Sequence, residues 1–256
     1  MNIFILAAGL GTRLKPLTDT MPKAMVVVAG KPLLQHQIDK FKRLSDDLHI
    51  VINVHHFADM IIDFLRENNN FGIDIRISDE RDLLLETGGG LRKALPLFPN
   101  EDPILIHNVD IFSNVDLMTF YSLASQQTDV VATLLVGNRE EDTGRYLITT
   151  EDRMLAGWTN VNTQEVKGPI KENYSSQKSD KTSDTLVNFT GIHVVNPSLI
   201  NPLMKSWNER FSIIDFYLDV CEKNKILCLV NPELHLIDVG KLSTLQDAEA
   251  FCGSEK

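Results

Sequence analysis

The sequence predicts an α/β protein, a Rossmann-like, doubly wound, mostly parallel sheet with a small, partly antiparallel lobe. Three observations lead there. Through residue 136, apolar strand-like runs alternate with amphipathic helical patterns, as in a parallel sheet covered by helices on both faces. A loop of small residues follows the first run directly, where the carboxyl edge of such a sheet meets its ligands. Beyond residue 145 the strand-like runs continue without long helices between them, which suits an antiparallel lobe.

Ile3 to Leu6 is a short apolar strand, and Ala7, Ala8, Gly9 and Gly11 form the loop after it. Leu34, Ile38, Phe41 and Leu44 then recur at helical spacing, with Lys40, Lys42 and Arg43 between them. His49 to Val54 reads as a strand, Ala58 to Arg66 as a helix, Ile73 to Ile77 as a strand and Leu91 to Phe98 as a helix. Ile104 to His107 is a buried strand, Met118 to Ala124 is helical and Val130 to Val136 is a β-rich run. In the second half Arg145 to Thr150, Met154 to Trp158 and Leu186 to Val195 read as strands. Ile213 to Cys221 reads as a helix capped by Ser212, Ile226 to Val230 and Leu234 to Val239 as strands, and Leu242 to Phe251 as a closing helix. Between Asn160 and Asp184 lies a polar stretch with few anchoring apolar residues, expected to be mobile, either a lid or plain surface.

At 256 residues with 43% hydrophobic content, the chain has room for one sizeable domain, or one with an appended lobe. No apolar run approaches the ~20 residues of a membrane helix, and no signal-peptide pattern opens the chain, so a cytoplasmic protein is expected. Cys221, Cys228 and Cys252 are too few for a disulfide framework and are expected as reduced thiols. A formal net charge of −10 argues against nucleic acid as a partner, and no membrane partner is expected. An acidic chain that handles polyphosphates must concentrate its cations locally.

The first loop does so. Its small residues let backbone N–H groups approach a phosphate closely, and Arg13 and Lys23 supply positive charge; Lys15 reads equally well as a solvated loop residue. Two better-known phosphate loops do not fit. A dinucleotide fingerprint needs a third glycine where Leu14 stands, which disfavours a nicotinamide dehydrogenase, and no Gly-Lys-Ser/Thr occurs.

Together with Gly9 and Gly11, the string Arg13, Pro16, Leu17, Thr18, Pro22, Lys23, Gly30, Lys31 and Pro32 resembles the signature of the sugar-phosphate nucleotidylyltransferases. The resemblance implies a fold of the nucleotide-diphospho-sugar transferase type and a single domain over 1–256. Residues 1–140 would make the nucleotide-binding half, and 141–256 the sugar-binding half with a second metal ligand. It also implies a nucleoside triphosphate, UTP or GTP, and a sugar 1-phosphate as substrates, Mg2+ as cofactor, and a monomer or homodimer.

Such a transfer asks mainly for positioning and charge neutralisation, and magnesium favours one or two carboxylates beside phosphate oxygens. Two aspartates stand at strand ends. Asp110 ends the run from Ile104, and Asp238 lies in His235-Leu-Ile-Asp-Val-Gly240. Either alone also reads as a turn former or helix cap. Together they resemble the family's Asn-Gly-Asp and Asp-Val/Ile-Gly motifs, whose aspartates hold the metal, which makes Arg13, Lys23 and Asp110 the catalytic set. Val109 stands where the family usually has glycine. A β-branched residue resists a left-handed conformation, so the turn is either built differently or never needed that dihedral.

Leu85-Glu86-Thr87-Gly88-Gly89-Gly90 precedes the helix expected from Leu91, and three glycines there expose backbone groups that can read a base edge, or form a flexible connector. In the family a glycine-rich stretch at this place contacts the base. The Glu-Thr-Gly-Gly-Gly form is similar to that of N-acetylmuramate 1-phosphate uridylyltransferases and of mannose 1-phosphate guanylyltransferases, so the base stays open. The resemblance thus gives Leu6, Ala7, Ala8, Gly9, Gly11, Thr12, Arg13, Lys23, Glu86, Thr87, Gly88 and Gly89 as nucleotide-binding. Asn188, Thr190 and Gly191, in a segment resembling Ser/Thr-Gly-Ile, would bind the sugar; an alternating strand with one outward Thr would look the same.

Two departures point to a remodelled sugar pocket. The polar stretch has no Glu-Lys-Pro, and Leu147 follows Tyr146 where many relatives have glycine. Adjacent His55 and His56 on a strand face opposite ways and do not chelate one ion readily, and His107 reads as structural. Two alternatives remain. One is a cytidylyltransferase acting on a small phosphorylated alcohol such as choline phosphate. The other is a non-catalytic nucleotide-binding regulatory protein, which would be expected to lose one of Arg13, Lys23, Asp110 or Asp238.

Overall fold

The computed structural model describes residues 1–137, 144–172 and 185–254. Strand β1 (Asn2–Leu6) lies inside the sheet, and Ile3, Phe4 and Ile5 are all buried although they point alternately to opposite faces. Helices must therefore cover both sides. A short hairpin of β2 (Val27–Val28) and β3 (Lys31–Pro32) leads into α1 (Leu33–Phe41), whose buried stripe is Leu34, Ile38 and Phe41. Next come β4 (His49–Val54), α2 (Ala58–Glu67), β5 (Asp74–Asp79), α3 (Glu86–Ala94) and β6 (Ile104–Asn108). They are followed by β7 (Ile111–Ser113), α4 (Leu117–Ser125) and β8 (Ala132–Gly137). The second half holds β9 (Arg145–Thr149), β10 (Leu155–Asn160), β11 (Glu165–Lys167), β12 (Thr185–Val195) and α5 (Pro197–Met204). It closes with α6 (Ile213–Val220), β13 (Ile226–Val230), β14 (Leu236–Asp238) and α7 (Leu245–Ser254).

Strands β6, β1, β4 and β5 are parallel neighbours in that order. Strand β12 runs antiparallel to β6 and carries β8 along part of its length, with β13 parallel to β8. The amino-terminal end of β12 pairs instead with β9, from which β10 and β11 extend an antiparallel flank. One core packs Ile3 and Ile5 against Ile38, Ile61, Phe120 and Phe251, from α1, α2, α4 and α7. The other packs Phe4 against Leu91, Ile200 and Phe216, from α3, α5 and α6.

Parallel register sets Leu6 beside both Asn53 and Asn108, with Ser78 beside Asn53. The small-residue loop, the residues after β5 and the Asn108-Val109-Asp110 turn thus leave the sheet at one carboxyl edge.

Several elements differ from the sequence expectation. Helix α3 begins at Glu86, not Leu91, so the three glycines are helical. Helix α5 lies in a segment to which the sequence assigned no element; Pro197 occupies the first turn, where no donor is needed, and Asn196 caps it by accepting from Ser198 N–H. Part of the polar stretch is the edge strand β11, where Lys167 pairs with Trp158 and lays its ammonium 5.2 Å from the indole centroid. A 3-10 turn over Pro169–Glu172 follows β11, and residues 173–184 of that stretch lie outside the described residues. The strand expected over Leu234–Val239 shortens to β14, and a 3-10 turn over Leu242–Thr244 precedes α7.

Candidate active site

The loop after β1 is built on Gly11, which takes a left-handed φ of 62°. A Cβ there would lie 2.9 Å from Cγ2 of Thr18 and 3.1 Å from Cβ of Lys23, so glycine is required twice over. Thr18 Oγ1 donates to the Gly11 carbonyl at 2.8 Å, and buried Leu14 anchors the 3-10 turn that carries Arg13. At Gly9, by contrast, a Cβ would meet no heavy atom within 4 Å, and the backbone stands open.

Lys23 opens another 3-10 turn, pinned by buried Ala24. Its Nζ pairs directly with Oδ2 of Asp110. Asp110 follows β6 through Val109, which is buried and is not among the left-handed residues. The turn is therefore made without the dihedral that glycine would permit. Helix α1 supports it from below: Gln37 Nε2 donates to Ile111 O at 2.8 Å, and Lys40 Nζ to Ser113 O at 2.8 Å.

Asp238 reaches the same place from far along the chain. Strand β14 pairs antiparallel with β7, setting Asp238 beside Ile111, and Val239 N–H donates to Asp110 O at 2.9 Å. Partial desolvation and the negative charge of Asp110 hold the Asp238 carboxyl above the usual carboxylate range. Arg13 Nη2 lies 3.5 Å from Asp238 Oδ2. A Cβ at Gly240 would fall 2.5 Å from Arg13 Nη2 and 2.7 Å from Asp238 Oδ1, so glycine in Asp-Val-Gly makes room for this pair. The structure thus brings together Gly11, Arg13, Lys23, Asp110 and Asp238. Two neighbouring carboxylates suit a divalent cation that keeps its other positions for phosphate oxygens and water.

The other sequence-predicted residues are placed differently. Ala7 and Ala8 are buried, and both their N–H groups donate to Asn53 Oδ1, at 2.7 and 3.2 Å. Gly88, Gly89 and Gly90 are buried inside α3 and do not form an exposed base-reading loop. Gly88 N–H and Gly89 N–H both donate to Phe211 O, at 2.9 and 3.2 Å. A Cβ at Gly88 would sit 2.3 Å from the Phe211 ring, and one at Gly89 would sit 2.3 Å from Glu209 O. The glycines let the 209–213 segment lie against the helix. Thr87 Oγ1 accepts from Ile213 N–H at 2.9 Å, and Glu86, with a φ of +61°, pairs with Arg210 at 2.9 Å. Ser212 caps α6 as expected, accepting from Ile214 N–H.

Thr190 is also enclosed. It lies in the β12 bulge, 6% exposed, where its hydroxyl donates to Leu135 O at 2.8 Å and accepts from Ile192 N–H at 3.1 Å. It staples the bulge; it does not face open space. Gly191, at φ +77°, packs on Asn108, whose Nδ2 would be 2.4 Å from a Cβ there. Asn188 is half-buried, beside Gly137 in register. His107 is enclosed, with Nδ1–H donating to Asn108 O at 2.7 Å and Phe41 meeting its ring edge-on. The sequence reading missed Asn53, Glu80 and Arg210. Glu80 hides in the charged run Asp79-Glu-Arg-Asp82, which looks solvated, although its place just past a strand end was the signal that found Asp110.

Over residues 3–255 the chain matches the family described as nucleotidyl transferase, and it belongs to that family. A 108-residue stretch is 48% identical to the N-acetylmuramate alpha-1-phosphate uridylyltransferase of Caulobacter vibrioides, covering 41% of this chain and 44% of that protein. Over 138 residues it is 32% identical to the mannose-1-phosphate guanylyltransferase catalytic subunit beta of Xenopus tropicalis, covering 52% and 38% respectively. The chain thus spans about half the length, or less, of these curated relatives. Among solved structures, the inositol-1-phosphate CTP transferase from T. maritima superposes with a TM-score of 0.73 over 100% of this chain and 96% of that one, at 13% identity. That likeness is one of fold.

Proposed function

We propose that the chain transfers a nucleotidyl group from UTP or GTP to a sugar 1-phosphate. An oxygen of the sugar phosphate attacks the α-phosphorus in line, the new O–P bond forms as the bond to the β-phosphate oxygen breaks, and pyrophosphate leaves. The observation that carries the reading is the pairing of Lys23 with Asp110 and of Arg13 with Asp238 in one cluster beside the Gly9–Gly11 turn. Named relatives that use UTP and GTP support the choice of triphosphate.

The open backbone at Gly9 admits the phosphates. Lys23, on the wall shared with Asp110, neutralises charge at the α-phosphate; Arg13, more exposed, does so on the departing pyrophosphate. Asp110 and Asp238 would hold Mg2+, which when bound supplies charge neutralisation between two anions. The second half contributes the sugar side, through residues near the β12 bulge such as Asn188.

Four triphosphates assayed against a panel of sugar 1-phosphates and choline phosphate, read out as pyrophosphate, test this. Release with UTP or GTP and a sugar 1-phosphate is expected. Turnover confined to CTP and choline phosphate would overturn the substrate choice, and no release from any pair would overturn the enzymatic reading.

A further inference from the structure

A buried chain of hydrogen bonds with a fixed direction runs beneath the phosphate-facing turn. Ala7 and Ala8 N–H both donate to Asn53 Oδ1. Two donors demand the oxygen of the amide, so Asn53 must present Nδ2 on its other side. Nδ2 donates to Glu80 Oε1 at 2.8 Å, while the second carboxyl oxygen, Oε2, accepts from Leu85 N–H at 3.0 Å. Leu85 O in turn accepts from Phe211 N–H at 3.2 Å. Asn53 and Glu80 are 2% and 1% exposed, which leaves almost no room for water to replace a lost partner. Gly90 closes the space: a Cβ there would lie 2.8 Å from Glu80 Oε1 and 3.1 Å from Asn53 Nδ2.

Donors therefore arrive from both ends, and a group that accepts on both sides must stand between them. A carboxylate does this; an amide does not. With glutamine at 80, one of its faces becomes a donor, and it meets either Leu85 N–H or Asn53 Nδ2. Turning Asn53 over only moves the conflict to Ala7 and Ala8. We infer that Asn53 and Glu80 are a positioning pair, whose acceptor polarity holds the turn before Gly9 in the conformation that receives the triphosphate and ties it to the start of α3. The part that concerns the triphosphate rests on the function proposed above.

The polarity argument yields a specific rescue. Combining Asn53→Asp with Glu80→Gln restores every bond: the aspartate accepts from Ala7 and Ala8 on one oxygen and from the glutamine amide on the other, while the glutamine oxygen accepts from Leu85. Buried charge stays the same. Asn53→Asp alone sets two carboxylate oxygens against each other and should fail like Glu80→Gln.

Two measurements on the full chain test the pair. The first is amide hydrogen exchange at Ala7 and Ala8, which needs no ligand. The second is binding of Mg·UTP and Mg·GTP, together with KM for triphosphate against KM for sugar 1-phosphate. In Glu80→Gln, protection at both amides and triphosphate affinity should each fall about tenfold or more, KM for the sugar 1-phosphate should change little, and the double variant should recover both losses to within about threefold of the parent. A uniform loss of protection across the sheet with triphosphate affinity intact would mark a merely structural role and overturn the inference. So would a double variant no better than the single one. If Glu80→Gln does not fold, a folded double variant with Ala7 and Ala8 protected supports the pair and an unfolded one overturns it. A parent protein that binds neither triphosphate counts against the proposed function, and the triphosphate role of the pair falls with it; the exchange pattern still decides the polarity.

Discussion

At Gly9 a Cβ would find no heavy atom within 4 Å, whereas at Gly88 it would fall 2.3 Å from the Phe211 ring. Both residues sit in glycine-rich segments at the same sheet edge, and the absent side chain does opposite things in the two places. Near β1 it keeps the backbone open. In α3 it lets protein backbone approach, and Phe211 O receives the N–H groups that a ligand would otherwise use. The same contrast runs through the charged groups. Arg13 and Asp238 are half-exposed and only 3.5 Å apart, ready to exchange partners, while Glu80 is enclosed with donors on both oxygens.

The strongest way to break this comparison is to remove charge from the cluster beside the Gly9 turn. Asp110→Asn keeps the shape of the side chain and leaves Lys23 Nζ an oxygen to donate to. That choice matters because Lys23 and Asp110 are only 12% and 13% exposed, so truncation to alanine would leave an enclosed ammonium unpaired. Pyrophosphate release should fall about a thousandfold or more, equivalent to at least ~4 kcal/mol of transition-state stabilisation, with the unfolding midpoint nearly unchanged. Turnover within twofold of the parent would remove Asp110 from the mechanism.

Adding a single methyl to each glycine segment sharpens the contrast directly. Gly88→Ala should destabilise the fold by about 3 kcal/mol, because the new carbon meets both a packed ring and, at 3.0 Å, the Phe211 carbonyl. Gly9→Ala should leave the urea midpoint where it is and weaken triphosphate binding by about tenfold. The reverse pattern would mean that the two segments have been assigned the wrong way round.

Enclosed groups also give the fold its expected pH dependence. His107 and His193 are buried on opposite faces of the sheet, and burial pushes both down to about 3. For a histidine whose folded value is depressed, the stabilisation is complete above its unfolded value and is lost as pH falls toward the folded one. Between pH 7 and 5 each should therefore cost about 2 kcal/mol as the unfolded chain takes up a proton that the native state refuses. Urea midpoints at the two pH values measure the loss, and His193→Leu should remove about half of it. An unaltered slope in that variant would show that His193 stays readily protonated in the folded protein.

Legibility in the sequence followed the same divide. Features at strand ends and in the small-residue turn were readable, since Gly11, Arg13, Lys23, Asp110 and Asp238 each carry their chemistry in the local sequence, and the structure brings them together. Enclosed features were not. The run Leu85–Gly90 reads as a loop because glycine disfavours helix by about 1 kcal/mol per residue, and nothing local shows that Phe211, far along the chain, will offer its carbonyl and its ring. Glu80 looks solvated between Asp79 and Arg81, and only the β4–β5 register turns it inward. Helix α5 was hidden by its prolines, one of which occupies the first turn, where proline is tolerated.

The smallest effect tests a residue that lies on the border between the two regions. Thr190 belongs to a segment that resembles a sugar-contacting one, yet its hydroxyl is held between Leu135 O and Ile192 N–H inside the β12 bulge. Thr190→Val keeps the shape and removes both bonds, leaving a buried carbonyl and a buried N–H short of a partner. The expected cost is about 1 kcal/mol of stability, a shift of a few degrees at most in Tm. KM for the sugar 1-phosphate should stay within about twofold, since a group bonded on both sides has little left to offer a substrate. If instead that KM rises sharply while the Tm holds, the hydroxyl must leave Leu135 when the sugar arrives, and the bulge belongs with the substrate-facing cluster and not with the enclosed scaffold.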